Sequence, residues 1–267
     1  MLNLVKMNLL KMIRMKCVYV MFLLCIGIGA VLVIDSQDTS MDAIEEQMRE
    51  EKQQQGGELS EIGVTFATAP EADTVLLLAT ECASSGMLAI MVGIFVALLA
   101  CSERECGFLK NLASCSQHKW QIVIARLVPA FLFFIVLQVG LLSSLIVTNC
   151  VIGSPLELGS ITAAISVLGI QLLLHTAFAA LVLMVAEITR SQLLCVIFSM
   201  FVGLGLISFL ISFLIPAAAN FLLISRCRMT ALPLDVSSLP LTIIIGVIAV
   251  AGYGILGSLI FQKRDVY

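Results

Sequence analysis

Two polar residues one helical turn apart, Gln171 and His175, are the pair in this chain best placed to do chemistry. They sit inside an apolar run, and their i,i+4 spacing puts both on one helix face. Amide and imidazole groups at membrane depth face a bundle interior or a polar path. With Gln138 of an earlier run and Thr176 beside His175, they form the set expected to line a substrate route: Gln138, Gln171, His175 and Thr176. The plainer reading of the same residues is interhelical hydrogen bonding, each bond contributing about 0.6 kcal/mol.

Other spacings point away from catalysis. Cys115-x-x-His118 with Cys106 upstream has no second ligand pair, so no metal is expected. The nine cysteines otherwise suit helix packing. No Gly-Lys dipeptide occurs anywhere, which excludes a P-loop, and neither HExxH nor GxSxG is present. Gly252, Gly254 and Gly257 spell GxGxxG, but within an apolar run where the glycines suit close helix packing, as do Gly254 and Ser258. Glu187, close to Arg190, is expected to pair there rather than to relay protons. The chain is thus expected to be no enzyme and to bind no cofactor itself.

The scaffold for these groups is six apolar runs, over residues 17–34, 83–101, 127–147, 160–187, 193–215 and 241–261. A hydrocarbon core of about 30 Å takes about 20 helical residues. Hydrophobic residues make up 60% of the chain and charged ones 12%, with a mean hydropathy of +1.08. A soluble fold is excluded. The expected fold class is an all-α polytopic membrane protein, one transmembrane domain over residues 1–267. Basic loops stay cytoplasmic, and one set of loops and termini holds all of the 15 basic residues except Arg49, Lys52, Arg226 and Arg228. Both termini are therefore expected inside, with the first run a retained signal-anchor helix. The net charge of −3 says little about partners because charge is segregated. The bilayer is the expected one, and nucleic acid is not. Residues 35–82 read as an acidic outer loop, either a solvated spacer or a collecting surface for a cationic substrate.

Three further segments carry organisation. Residues 2–16 form a basic amphipathic stretch, with Asn3, Lys6, Lys11 and Arg14 on one side, suited to an inner-interface helix. After the second run, Ser102 and Glu105 have capping-box spacing, which predicts a helix starting there. Phe108, Leu109 and Leu112 then make an apolar patch resembling a docking surface, ahead of Trp120 at headgroup depth. Residues 216–240 are too apolar for a wet loop and too short for two spans, which suits a re-entrant segment.

Taken together, these motifs resemble the type-2 permease subunits of ABC transporters, a family with six spans and cytoplasmic termini. The likeness covers nearly the whole chain in topology. It is sharpest at Ser-Glu-Arg-Glu-Cys-Gly-Phe-Leu-Lys-Asn-Leu (102–112), and extends to His118-Lys119-Trp120, Arg126 and the ending Phe261-Gln262-Lys263-Arg264-Asp265. The resemblance implies that the segment after span two is a coupling helix docking into a separate P-loop ATPase subunit. It would act through Glu103, Arg104, Glu105, Gly107, Phe108, Lys110 and Asn111. It also implies that residues 2–16 are a connecting helix and that residues 216–240 hold short re-entrant helices. A second permease subunit, in a homo- or heterodimer, would complete the path, and ATP and Mg²⁺ would be handled by the partner. Size and layout are similar to peptide-antibiotic exporters and bacteriocin-immunity permeases of Gram-positive cells. This implies export of a peptide, lipid or antibiotic across the plasma membrane. An ion-coupled secondary transporter and a non-transporting membrane subunit or sensor are the alternatives.

Overall fold

The computed structural model describes residues 2–38, 74–105, 120–152, 157–214, 222–228, 230 and 239–263. Among the described residues the regular structure is helical, save an isolated parallel bridge between Thr74 and Glu157. The helices are α1 (Leu2–Arg14), α2 (Lys16–Asp38), α3 (Val75–Ser84), α4 (Met87–Glu105) and α5 (Trp120–Ile152), followed by α6 (Ile161–Thr189), α7 (Gln192–Gly203), α8 (Leu206–Leu214), α9 (Leu223–Arg228) and α10 (Leu239–Lys263). Four of them, α2, α5, α6 and α10, are long and apolar enough to cross a membrane, and the bent pair α3–α4 makes a fifth when counted as one span.

Why the bundle holds together follows from which side chains it hides. Phe95, Val96 and Leu99 of α4 and Phe178 and Val182 of α6 are buried together with Phe133, Phe134 and Leu137 of α5. The Phe95 and Phe133 rings lie 4.4 Å apart between centroids. α10, by contrast, exposes Ile243, Ile244, Val247, Ile248, Ile255, Leu256 and Leu259 while burying Thr242, Gly246, Gly257 and Phe261. A helix apolar on its outward face as well as its inward one is at home in lipid, not water. Association in that solvent relies on close packing and hydrogen bonds. On α5, Gly140 lies under the Phe22 ring of α2, so that an added Cβ would sit 2.5 Å from it. Next to it Ser144 Oγ donates to Ile26 O at 2.6 Å.

Two of the predicted spans are not continuous. The second is split at Ser85–Gly86, where α3 and α4 meet at 50°. Residues 75–82, part of the expected outer loop, belong instead to α3, which buries Val75, Leu76, Leu78 and Ala79. Thr74 caps it, its Oγ1 accepting from Leu77 N at 3.2 Å, and the bridge ties its start to the approach to α6 through Val75 N donating to Glu157 O at 2.9 Å. The fifth run divides into α7 and α8 at Leu204–Gly205, Gly205 taking a left-handed φ of +80°. The two breaks touch. A Cβ on Gly86 would run into the backbone carbonyl of Gly203, and one on Gly203 into the Ile90 side chain. Further along the same contact, Gly93 faces Ser199 of α7 and Phe178 of α6.

At the far end of α4, helix continues through Glu105. Ser102 is therefore not an N-cap as its spacing predicted; its Oγ donates back to Leu99 O at 3.1 Å, a bond within a running helix. The expected coupling residues Gly107, Phe108, Lys110 and Asn111 lie outside the described residues, as do residues 39–73 of the expected loop. The helix over the amphipathic N-terminal stretch is present as α1. Its inward side carries Asn8, with Leu4 and Met12 packed on the bundle, and its outward side mixes Asn3, Lys6 and Arg14 with Leu10 and Ile13.

Candidate functional site

Two buried polar clusters stand at different levels of the bundle. The first is at the α1 end. Arg126, six residues into α5, is wholly buried, and its Nη1 donates to Glu187 Oε1 of α6 at 2.6 Å. Its guanidinium carbon lies 5.9 Å from the centre of the Phe261 ring of α10. One residue earlier, Ala125 O accepts from Asn8 Nδ2 of α1 at 3.1 Å. Four helices are thus tied at one point, with Ile122 and Val123 packing against Phe261 below it. The sequence assigned Glu187 to Arg190 and counted Arg126 as a loop cation. Arg126 is a buried partner of that carboxylate, and Arg190, exposed, caps α6 with φ 54° and its N–H donating to Ala186 O. A sign was present: opposite charges stand at equivalent ends of two spans.

The second cluster surrounds the expected pair. Gln171 is fully buried, and its Nε2 donates to Thr80 O of α3 at 3.0 Å. His175 is 2% exposed; its Nδ1 lies 2.8 Å from Gln171 O and its ring stacks on Phe134 of α5, 4.1 Å between centroids. A carbonyl oxygen can only accept, so Nδ1 carries the proton and Nε2 presents a lone pair. Cys227 Sγ of α9 approaches Nδ1 at 3.8 Å. With that nitrogen donating elsewhere, the ring offers the thiol no base, and the contact is no nucleophilic pair. Arg226, next to Cys227, is buried too, and Thr230 Oγ1 donates to Cys227 O at 2.8 Å.

Of the four residues expected to line a route, the structure brings Gln171 and His175 together. Gln138 joins them one turn away, donating to Leu168 O of α6 at 3.3 Å. Thr176 bonds within its own helix, to Leu172 O at 2.7 Å. Thr80 and Cys227 complete the surroundings and carried no local signal, since their partners are distant in sequence. Among the coupling set, Glu103, Arg104 and Glu105 occupy the last turn of α4. Among the described residues, no group of three metal-ligating side chains is found. Gly252 and Gly254 of the GxGxxG run meet nothing within 4 Å; Gly246 and Gly257 are the α10 glycines that face α6.

No protein-family model matches the chain, and no curated protein or solved structure matches it.

Proposed function

We propose that the chain is the permease subunit of an ATP-driven exporter, spanning the plasma membrane six times with both termini and α1 on the cytoplasmic side. In this reading α7 and α8 form one broken span, and α9 belongs to a re-entrant segment. The observation that carries the proposal is the path of α4. Its 19 residues run unbroken from the Gly86 contact into the Ser-Glu-Arg-Glu-Cys-Gly-Phe-Leu-Lys-Asn-Leu segment, which resembles a coupling helix. A push from a partner ATPase at that segment would reach the Gly86–Gly203 contact along one rod about 28 Å long. The absence of any P-loop in the sequence fits a motor on another subunit. A dimer of permease subunits would enclose the path, and a peptide, lipid or antibiotic would be the cargo.

Glu103→Ala or Phe108→Ala is expected to abolish co-purification with the ATPase or to uncouple its hydrolysis from transport. Unchanged association and flux in both variants would remove the assignment. Topology has its own check. Lys6 and Lys11 are expected to stay unlabelled by an impermeant amine reagent applied outside intact cells, while Lys52 reacts. The reverse pattern would invert the bundle.

A second reading draws on the meeting of two broken helices. Ion-coupled carriers place discontinuous helices around their sites, and Gly86 and Gly203 join two such breaks. Gradient-driven uptake into vesicles holding this chain without an ATPase would favour the carrier.

A further inference from the structure

We propose that Gln171 Oε1 and His175 Nε2 form an occluded two-acceptor site that takes the protonated amine of a cationic amphiphile. The claim rests on the transport reading only for why such a cargo would arrive; the binding itself is separable.

Gln171 turns its NH₂ to Thr80 O at 3.0 Å, so the other amide atom is fixed as an acceptor facing away. Among the described residues, Gln171 Oε1 has no hydrogen-bond partner and neither does His175 Nε2. The second is a lone pair, because Nδ1 holds its proton against Gln171 O. Both residues are enclosed, at 0% and 2% exposure, one turn apart on α6. Buried acceptors without donors are rare and costly in folded chains. Here two occur together, on a ring that stacking on Phe134 holds in place.

The chemistry wanted is a donor, and charge narrows it further. Glu81, the residue after Thr80, also has a buried oxygen, Oε2, without a partner. Both atoms of the pair accept. A carboxylate or phosphate would set lone pairs against lone pairs. An ammonium group offers up to three N–H donors, and charge-assisted bonds from it are the strong ones. The lid over the site is α3, which supplies Thr80 and is a separate short helix, bent 50° from α4 at Ser85–Gly86. Its displacement frees the Gln171 amide and opens the pair.

The test uses the full chain alone in lipid nanodiscs, labelled with ¹⁵N-histidine. Its two histidines, His118 and His175, are told apart by a His175→Asn variant. Three probes share one tail: n-octylammonium, octyltrimethylammonium, which has the charge but no N–H, and octanoate, which has only acceptors. Octylammonium is expected to shift the His175 Nε2 resonance saturably, and the other two to leave it unmoved. Gln171→Leu is expected to weaken that response about tenfold or more, the loss of one bond to a charged donor. Should this variant fail to fold, the selectivity among probes on the unaltered chain decides alone. Equal responses to all three amphiphiles, or none to octylammonium, would overturn the proposal. So would an Nε2 signal already hydrogen-bonded to water before any probe is added. No ATPase is present in the assay. Loss of ATPase association would sink the transport reading and leave this one standing, and loss of donor selectivity would do the reverse.

Discussion

Gly86→Ala is expected to lower stability by about 3 kcal/mol or more, at or beyond the upper end of overpacking in a well-filled core. The added methyl would point at the Gly203 carbonyl, and backbone on both sides leaves no flexible chain end to yield. Gly203→Ala meets a side chain, Ile90, before it meets the Gly86 carbonyl at 3.2 Å, and although Ile is stiff at χ1 a somewhat smaller loss is expected there. Gly252→Ala and Gly254→Ala are the controls. Nothing lies within 4 Å of either, and in a helix interior alanine is favoured by up to about 1 kcal/mol. Unfolding midpoints in mild detergent should therefore fall steeply for the first variant and stay level or rise for the last two. A Gly86→Ala protein as stable as the parent would mean that α4 and α7 are not in backbone contact.

Arg126→Ala is expected to cost about 3–5 kcal/mol, because it takes away the buried guanidinium paired with the Glu187 carboxylate. Both groups are almost fully enclosed and 2.6 Å apart. The exposed-pair range of 1 kcal/mol or less does not apply. Glu187→Ala should cost a comparable amount by removing the guanidinium's buried counter-charge. The informative variant is the double replacement Arg126→Met with Glu187→Leu. Removing both charges in favour of apolar groups of like size is expected to recover most of the loss. Denaturant titration of the parent, Arg126→Met, Glu187→Leu and the double variant closes a double-mutant cycle. Additive losses, with no recovery in the double variant, would show that the two charges do not depend on each other.

The sequence displayed the apolar helices because their signal is local. Twenty apolar residues in a row need no partner to be recognised, and α2, α5, α6 and α10 stand where the runs predicted. The same held for the i,i+4 register that brought Gln171 and His175 to one face. Where a feature depended on a neighbour far away in the chain, it was hidden. Residues 75–82 read as loop because the acidic stretch before them dominated the window, although Val75-Leu76-Leu77-Leu78 is itself apolar. Ser102 and Glu105 matched a helix start, but that pattern cannot tell a new helix from the tail of an old one. Arg126 looked like a loop cation because its partner stands 61 residues later. The breaks at Ser85–Gly86 and Leu204–Gly205 contain glycine in a run where glycine is common. Only their mutual contact distinguishes them.

The clasp between Thr74 and Glu157 bears on how α3 could ever shift. One tip of this helix is fastened by hydrogen bonds from Val75 and Leu76 to Glu157 and Leu158, and the other ends at a bend. Were α3 to move as the proposed site requires, the bend at Gly86 is where it would turn. A stroke of its fastened arm would haul on residues 157–160, which lead straight into the helix carrying Gln171. Thr80 and Gln171 would thus be drawn along in one direction before they part, and the stretch of that leash sets how far the jaws can open.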